Sequence, residues 1–221
     1  MRKKDISSLG EEGFPDKYWD LNYDEPTSMD CIGNVKEHMN YLKSLFGLEL
    51  IEINSIVDFG FGLGHMLKEA HKVFKPKRIL GIEPSSMPFS RMEVWKIKNN
   101  LEKMSLKQVG LLNWLERNKG KFDLGLCNSV FQYIQTKDLE KAVPLMAKRV
   151  KFLYLTVPTD QELKKQEKDH RFTDHYALKR SRRTYQKILK KDFTFVSGRL
   201  LESKFFFNEG NTLFSNLLYR F

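Results

Sequence analysis

The stretch Ser55-Ile56-Val57-Asp58-Phe59-Gly60-Phe61-Gly62-Leu63-Gly64-His65-Met66 concentrates residue types that hold cofactors. Ser55 to Asp58 reads as a short buried strand, and glycines then occupy every second position from Gly60 to Gly64. Helical spacing resumes from His65 to Phe74, with Met66, Leu67, Ala70, Val73 and Phe74 apolar. A strand that ends in glycines and turns into a helix directs backbone N–H groups and a positive helix end at one small volume. Glycine also lets a ligand approach the backbone closely.

The spacing narrows the choice of ligand. It is G-x-G-x-G, whereas the dinucleotide fingerprint is G-x-G-x-x-G. Asp58 precedes Gly60 by two positions. A carboxylate repels a pyrophosphate and attracts an ammonium group. The pattern points away from NAD and towards a cofactor with an amino-acid moiety. Glu83 follows Gly64 by 19 positions and ends the next strand-like run. An ionised carboxylate is an acceptor with two oxygens, so an acid at this distance suits the hydroxyls of a ribose.

Other reactive residues are less informative. His170 and His175 lie in Asp169-His170-Arg171-Phe172-Thr173-Asp174-His175-Tyr176, where either is a base or part of a solvated loop. They are five apart with no accompanying cysteine, so no metal site is expected. Cys127 sits inside an apolar run and reads as a packed thiol. Tyr133 either packs or orients an acceptor.

These residues must be positioned by strands that alternate with helices. Arg78–Glu83, Lys107–Leu111, Asp123–Cys127 and Val150–Thr156 read as further strands. Helical faces appear at Met29–Phe46, Pro88–Asn99 and Leu139–Val150, with Gly47 as a C-terminal cap and Pro144 as a kink or a late start. Such alternation predicts a parallel sheet in an α/β domain. Phe193–Leu201 and Leu213–Phe221, joined through Asn208-Glu209-Gly210-Asn211, read as an antiparallel hairpin. Near the N-terminus, Phe14, Tyr18, Trp19 and Tyr23 stand in a polar background. They read foremost as residues that pin the segment to the core, and secondarily as a closure over a cofactor or acceptor.

The 221 residues suffice for one full core. Two cysteines without a C-x-x-C exclude a disulfide scaffold and favour a reducing compartment. No signal-peptide core follows the basic N-terminus, and no run is long enough to span a bilayer, so a cytoplasmic location is expected. The net charge of +10 is concentrated between Lys164 and Lys191, where eleven Lys and Arg face three acids for a net +8. Lys179 to Lys191 predicts a basic helix with Tyr185, Ile188 and Leu189 turned inward. Such a run is a solvated face or a track for anions, including nucleic acid.

On three motifs the chain resembles the class I S-adenosylmethionine-dependent methyltransferases. Val57–Gly64 is similar to the family's first motif, Leu80-Gly81-Ile82-Glu83-Pro84-Ser85 to the segment after it, and Phe122–Ile134 to its fourth. The resemblance extends over about residues 30–221. It implies a Rossmann-like α/β fold, with a mostly parallel seven-stranded sheet, a reversed C-terminal strand and helices on both faces. It also implies an N-terminal helical extension over residues 1–50 on the cofactor side and a methyltransferase domain over 51–221. By the same resemblance, Asp58 with the backbone of Gly60, Phe61, Gly62 and Gly64 would hold the amino-acid end of S-adenosylmethionine. Glu83 would hold the ribose, Pro84 and Ser85 would lie beside the adenine, and Asn128 would approach the methionine portion.

Related enzymes often carry His where this chain has Tyr133, and build acceptor contacts where it has His170 and His175. The family often has an acid at the third strand's end; here Gly110-Leu111-Leu112-Asn113 stands there, and the Leu111 side chain forms no hydrogen bond. The reading is a methyltransferase with a small-molecule or glycan-like acceptor, anionic acceptors included, and S-adenosylhomocysteine as product. The alternatives are an RNA methyltransferase using the basic stretch, a non-catalytic cofactor-binding protein and, disfavoured by the glycine spacing, an NAD-dependent oxidoreductase. Calorimetry should show binding of S-adenosylmethionine and S-adenosylhomocysteine, weakened by Glu83→Ala. Tight NAD binding without a response to the other two would refute the reading.

Overall fold

A computed structural model describes residues 9–23, 32–170 and 173–221. Short helices α1 (Leu9–Glu12) and α2 (Asp16–Tyr23) come first, followed by α3 (Val35–Leu48). Strands and helices then alternate: β1 (Ser55–Phe59), α4 (His65–Phe74), β2 (Arg78–Ile82), α5 (Ser86–Lys98), β3 (Met104–Lys107), α6 (Leu111–Arg117), β4 (Phe122–Asn128), α7 (Thr136–Ala147) and β5 (Val150–Thr156). The chain continues through α8 (Asp160–His170), α9 (Arg182–Leu189), β6 (Phe193–Ser197) and β7 (Leu200–Ser203).

The seven strands of the described residues form one sheet in the order β3-β2-β1-β4-β5-β7-β6. All neighbours from β3 to β5 are parallel, and β7 runs antiparallel to both β5 and β6. The order reverses between β1 and β4. A crevice therefore opens at the carboxyl ends of these strands.

Alternation along each strand explains why both faces are covered. Val57 and Phe59 join a core with α6, α7 and α9, whereas Ile56 joins a second core with α3 and α4. Met39, Leu42 and Phe46 on α3 belong to that second core, as do Leu124 and Phe152. Burial of this kind stabilises by roughly 25 cal/mol per Å² of apolar surface. It holds the strand ends, and with them Asp58, Glu83 and Asn128, in fixed register.

Several boundaries differ from the sequence reading. β3 is Met104–Lys107, and Leu111 opens α6 instead of ending a strand. Met104 and Leu106 point into the α3/α4 core, while Leu111 is buried on the opposite side of the sheet. α3 continues through Gly47, and Leu50 makes the turn at φ +54°. α7 carries Pro144 in its interior, with Leu139, Ala142, Val143 and Met146 all buried. Tertiary packing there outweighs the lost backbone bond. The C-terminal hairpin is Phe193–Ser203: the chain turns at Gly198-Arg199, with Arg199 at φ +68°. Leu200 and Leu201 are thereby free to pair with β5. Leu213–Phe221 forms no strand, although Phe221 exchanges two backbone hydrogen bonds with Phe195 on the edge of β6 (2.7 and 3.1 Å).

Gly81 lies where β2 is most tightly covered. A Cβ there would stand 2.6 Å from Phe61 Cδ1 and 2.7 Å from Leu67 Cδ2. Gly81→Ala should lower stability by about 1–3 kcal/mol in urea unfolding. An unchanged midpoint would show that these side chains yield freely.

Candidate functional site

The glycine loop leaves β1 at Gly60, which adopts φ +80°; a Cβ there would meet Val130 Cγ2 at 2.7 Å. Two motifs distant in sequence are thus in contact at one glycine. The loop's N–H groups are not arrayed for a phosphate. Gly60 and Phe61 both donate to Ile82 O (2.9 and 3.1 Å), Gly64 donates to Phe61 O (2.8 Å), and Gly62 donates to Glu83 Oε2 (3.0 Å). The sequence suggested free backbone donors at this turn. The fold instead uses three of them to seat the loop on β2 and on Glu83, and the Gly64 donor to close the loop on Phe61.

Two carboxylates are buried at adjacent strand ends. Glu83 Oε1 accepts the Ser85 N–H at 2.9 Å, and the Ser85 side chain also hydrogen-bonds the carboxylate. Burial nevertheless holds Glu83 above the usual carboxylate range, against the opposing pull of these hydrogen bonds. Asp58 has less support. Its Oδ2 is buried without a hydrogen-bond partner, and its pKa is pushed up to about 8, first by burial and then by the Glu83 charge. Cys127 is fully buried behind this pair; desolvation, and then Asp58, push its thiol well up, so it is a packing residue. His65, at the start of α4, is held below its ordinary value by burial and by Lys68.

The remaining walls come from other strand ends and from the N-terminus. Pro84, Val109 and Leu111 make an apolar side beyond Glu83. At the end of β4, the Thr156 hydroxyl donates to Asn128 Oδ1 and Ser129 turns the chain at φ +53°. Asn128, Val130 and Tyr133 then line the cavity. Phe14, Tyr18 and Trp19 line the cavity beside them. The cavity itself is about 100 Å³ and opens to solvent at its mouth.

Three polar ties fasten the N-terminal segment across this cavity. Glu11 accepts the N–H groups of Leu112 (2.7 Å) and Asn113 (3.4 Å) at the start of α6. Phe14 N–H donates to Ser85 Oγ at 2.9 Å, and the hydroxyls of Tyr18 and Tyr133 lie 3.0 Å apart. Gly13, at φ +88°, permits the close passage, since a Cβ there would meet Ser85 N at 2.6 Å. The Phe14 ring stacks on Tyr18 (4.1 Å between centroids) and meets Tyr133 and Tyr176 edge-on. Beyond the aromatics, Tyr133 donates to Asp174 Oδ2 at 2.6 Å.

Of the residues singled out from sequence, Asp58, Gly60, Phe61, Gly62, Glu83, Pro84, Asn128 and Tyr133 come together on one cavity. Gly64 lies just outside it as the N-cap of α4. His175 is exposed and does not line the cavity; the acid one residue earlier, Asp174, reaches Tyr133 instead. His170 ends α8, and its side chain falls outside the described residues, as does that of Tyr23. Phe14, Tyr18 and Trp19 are both buried packing and cavity wall, so the two readings of these aromatics coincide. Ser85 does not line the cavity but ties the N-terminal segment to Glu83. Glu11 carried no distinguishing sequence signal, and His65, Val130 and Asp174 lay within the stretches named above without a role of their own. Glu11 is notable because it places a carboxylate at the exit of β3, where the chain's own third-strand motif has none.

Residues 56–151 match the family model of a methyltransferase domain. No curated protein sequence matches the chain. Among solved structures, an S-adenosylmethionine-dependent methyltransferase from Clostridium acetobutylicum superposes with a TM-score of 0.65 at 15% identity, over 82% of this chain and 89% of that one. The magnesium protoporphyrin IX methyltransferase of Synechocystis, solved with S-adenosylhomocysteine, gives 0.59 at 15% identity over 85% and 92%. A small RNA methyltransferase gives 0.59 at 18% identity, over 77% of this chain and 25% of that one. Structural likeness at these identities establishes the fold.

The orphaned Asp58 has a measurable consequence. Its folded pKa lies above the ordinary 3.8, so the folded state retains a proton that the unfolded chain releases. The stability this contributes is complete below the unfolded value and is lost as pH rises towards about 8. Across that window the melting temperature of Asp58→Asn should gain on the wild type. A constant difference between the two proteins would show that Asp58 ionises freely.

Proposed function

We propose that the chain, an S-adenosylmethionine-dependent methyltransferase by domain and fold, methylates a small molecule bound at the aromatic end of the cavity. The observation that carries this reading is the N-terminal segment folded across the site. Phe14, Tyr18 and Trp19 pack beside Tyr133 as an aromatic wall of the cavity, a lining suited to a small apolar or aromatic acceptor.

The chemistry of the lining residues also suits the cofactor. The buried, unpartnered Asp58 Oδ2 suits the ammonium of an amino-acid moiety, which would restore its charged form. Glu83, already oriented by Gly62 and Ser85, suits a ribose diol, with Pro84, Val109 and Leu111 beside a flat base and Asn128 near the methionine portion. The cofactor supplies a methyl group activated on a sulfonium. The protein's part is to align an acceptor and exclude water, which can account for much of the rate.

Tyr133 is the positioning residue for the acceptor. Its hydroxyl hydrogen is committed to Asp174, so Tyr18 donates to the Tyr133 oxygen. The resulting chain of two phenols ends on a half-buried carboxylate and offers a route for a proton leaving the acceptor. The basic stretch bears less on the acceptor. Arg180 is buried and holds the Phe131 and Ile134 carbonyls and Thr136 Oγ1, which shapes the turn carrying Tyr133. Lys179 pairs with Glu167 at 2.8 Å. Arg182, Arg183 and Lys187 lie on α9 and are not part of the cavity wall.

The test follows labelled methyl groups from the cofactor into a cell extract separated into small molecules, RNA and protein. Label in the small-molecule fraction is the expected result; label confined to RNA or protein overturns the reading. With the acceptor isolated, Tyr133→Phe should lower kcat by roughly 100-fold with cofactor affinity unchanged. An unaffected kcat would remove Tyr133 from the mechanism.

A further inference from the structure

Among the described residues, neither of the two cores includes a member of α1 or α2. The segment Leu9–Tyr23 rests instead on the cavity and its rim. Gly10, Phe14, Tyr18 and Trp19 are cavity wall, and Tyr18 and Trp19 are each 5% exposed. Its helices depend on that seat: α1 has four residues and α2 eight, whereas isolated helices are marginal below about 12–15 residues. At three points backbone passes against backbone with no side chain between. A Cβ on Gly10 would stand 2.5 Å from Tyr133 O, and one on Gly110 would stand 2.5 Å from Glu11 O. Gly13 passes Ser85 in the same way. A segment attached like this can leave without opening either core.

What the segment covers decides its role. Asp58, Glu83 and Asn128, the residues suited to the cofactor, line the same cavity. With the segment seated, that cavity is about 100 Å³, whereas pockets for ligands of cofactor size measure roughly 300–1,000 Å³. Trp19 accounts for part of the shortfall. Its indole lies over the glycine loop: a Cβ on Gly62 would stand 3.4 Å from Trp19 Cη2 and 3.5 Å from Cζ3. Gly62 is also the residue whose N–H holds Glu83. The indole therefore stands against the turn that presents the carboxylate suited to a ribose.

We propose that Leu9–Tyr23 is a gate, which lifts from the cavity for S-adenosylmethionine to enter and S-adenosylhomocysteine to leave and reseats over the bound cofactor. This gate rests on the cofactor reading above. Its seat is made to be reversible. Glu11 fastens it through the N–H groups of Leu112 and Asn113, yet burial holds that carboxyl above its usual range, so the tie is made against a desolvation cost. Reseating restores the Tyr18–Tyr133–Asp174 chain and the aromatic wall, which keeps water from the methyl transfer. One segment covers both the Glu83 end and the Tyr133 end, so a single motion admits cofactor and acceptor alike.

The test follows S-adenosylhomocysteine binding to the whole protein by stopped-flow tryptophan fluorescence. Because opening precedes entry, the observed rate should level off as ligand concentration rises. Glu11→Ala removes the tie to α6, and Gly13→Ala sets a Cβ 2.6 Å from Ser85 N; neither residue belongs to the cavity wall. Each variant should raise the limiting rate roughly tenfold. Hydrogen exchange on the unaltered protein reads the segment itself. Its amides should exchange faster than those of β4 and β5, and S-adenosylhomocysteine should slow them. The gate is refuted if the rate rises linearly with ligand and is the same in both variants. It is equally refuted if the segment exchanges as slowly as β4 and β5 and the ligand changes nothing. A protein that binds no S-adenosylhomocysteine overturns the cofactor reading and the gate with it, whereas binding at an ungated rate overturns the gate alone.

Discussion

Two acids buried at neighbouring strand ends set the terms for the rest of this molecule. Asp58 and Glu83 are exit residues of β1 and the following strand, on either side of the glycine loop. Like charges in a desolvated crevice raise each other's cost of ionisation. Glu83 is relieved by two backbone N–H groups and by Ser85, but Asp58 Oδ2 has no such relief. The arrangement is suited to a ligand that brings a positive charge to Asp58 and hydroxyls to Glu83. It also explains the backbone of the loop. Gly62 must face Glu83, Gly60 must fold against Val130, and the donors of Gly60 and Phe61 close onto Ile82.

The second half of the cavity depends on contacts made from a distance. Glu11 fastens to the start of α6, Phe14 to Ser85 and Tyr18 to Tyr133, over separations of 101, 71 and 115 residues. Through Ser85 the N-terminal segment joins the hydrogen-bond network of Glu83. Through Tyr133 it joins Asp174 and the turn braced by Arg180. The Glu83 end and the Tyr133 end of the cavity are therefore linked through the N-terminal segment by polar contacts within an aromatic packing.

Much of this was legible where local chemistry and tertiary structure agree. Val150–Thr156 is a run of strand formers covered on both faces, and it forms β5 over those very residues. Tyr185, Ile188 and Leu189 fall on one side of α9 and are buried. Elsewhere a local pattern was overridden. Leu213–Phe221 is apolar enough for a strand, but β7 already occupies the place beside β5, and Phe221 hydrogen-bonds Phe195 on β6 without forming a strand. His175 has suitable chemistry for a base yet points to solvent, while its neighbour Asp174 turns inward.

The sequence by itself determined the alternation of strands and helices, the glycine turn and the two acids at its flanks. Each of these depends on residue type and short spacing, through backbone sterics, side-chain period and charge. Tertiary structure decided which loop donors are used internally, that Glu11 fastens to the start of α6, and which aromatic residues become cavity wall. Those outcomes depend on contacts between segments a hundred residues apart, and no local pattern encodes the distance at which such segments meet.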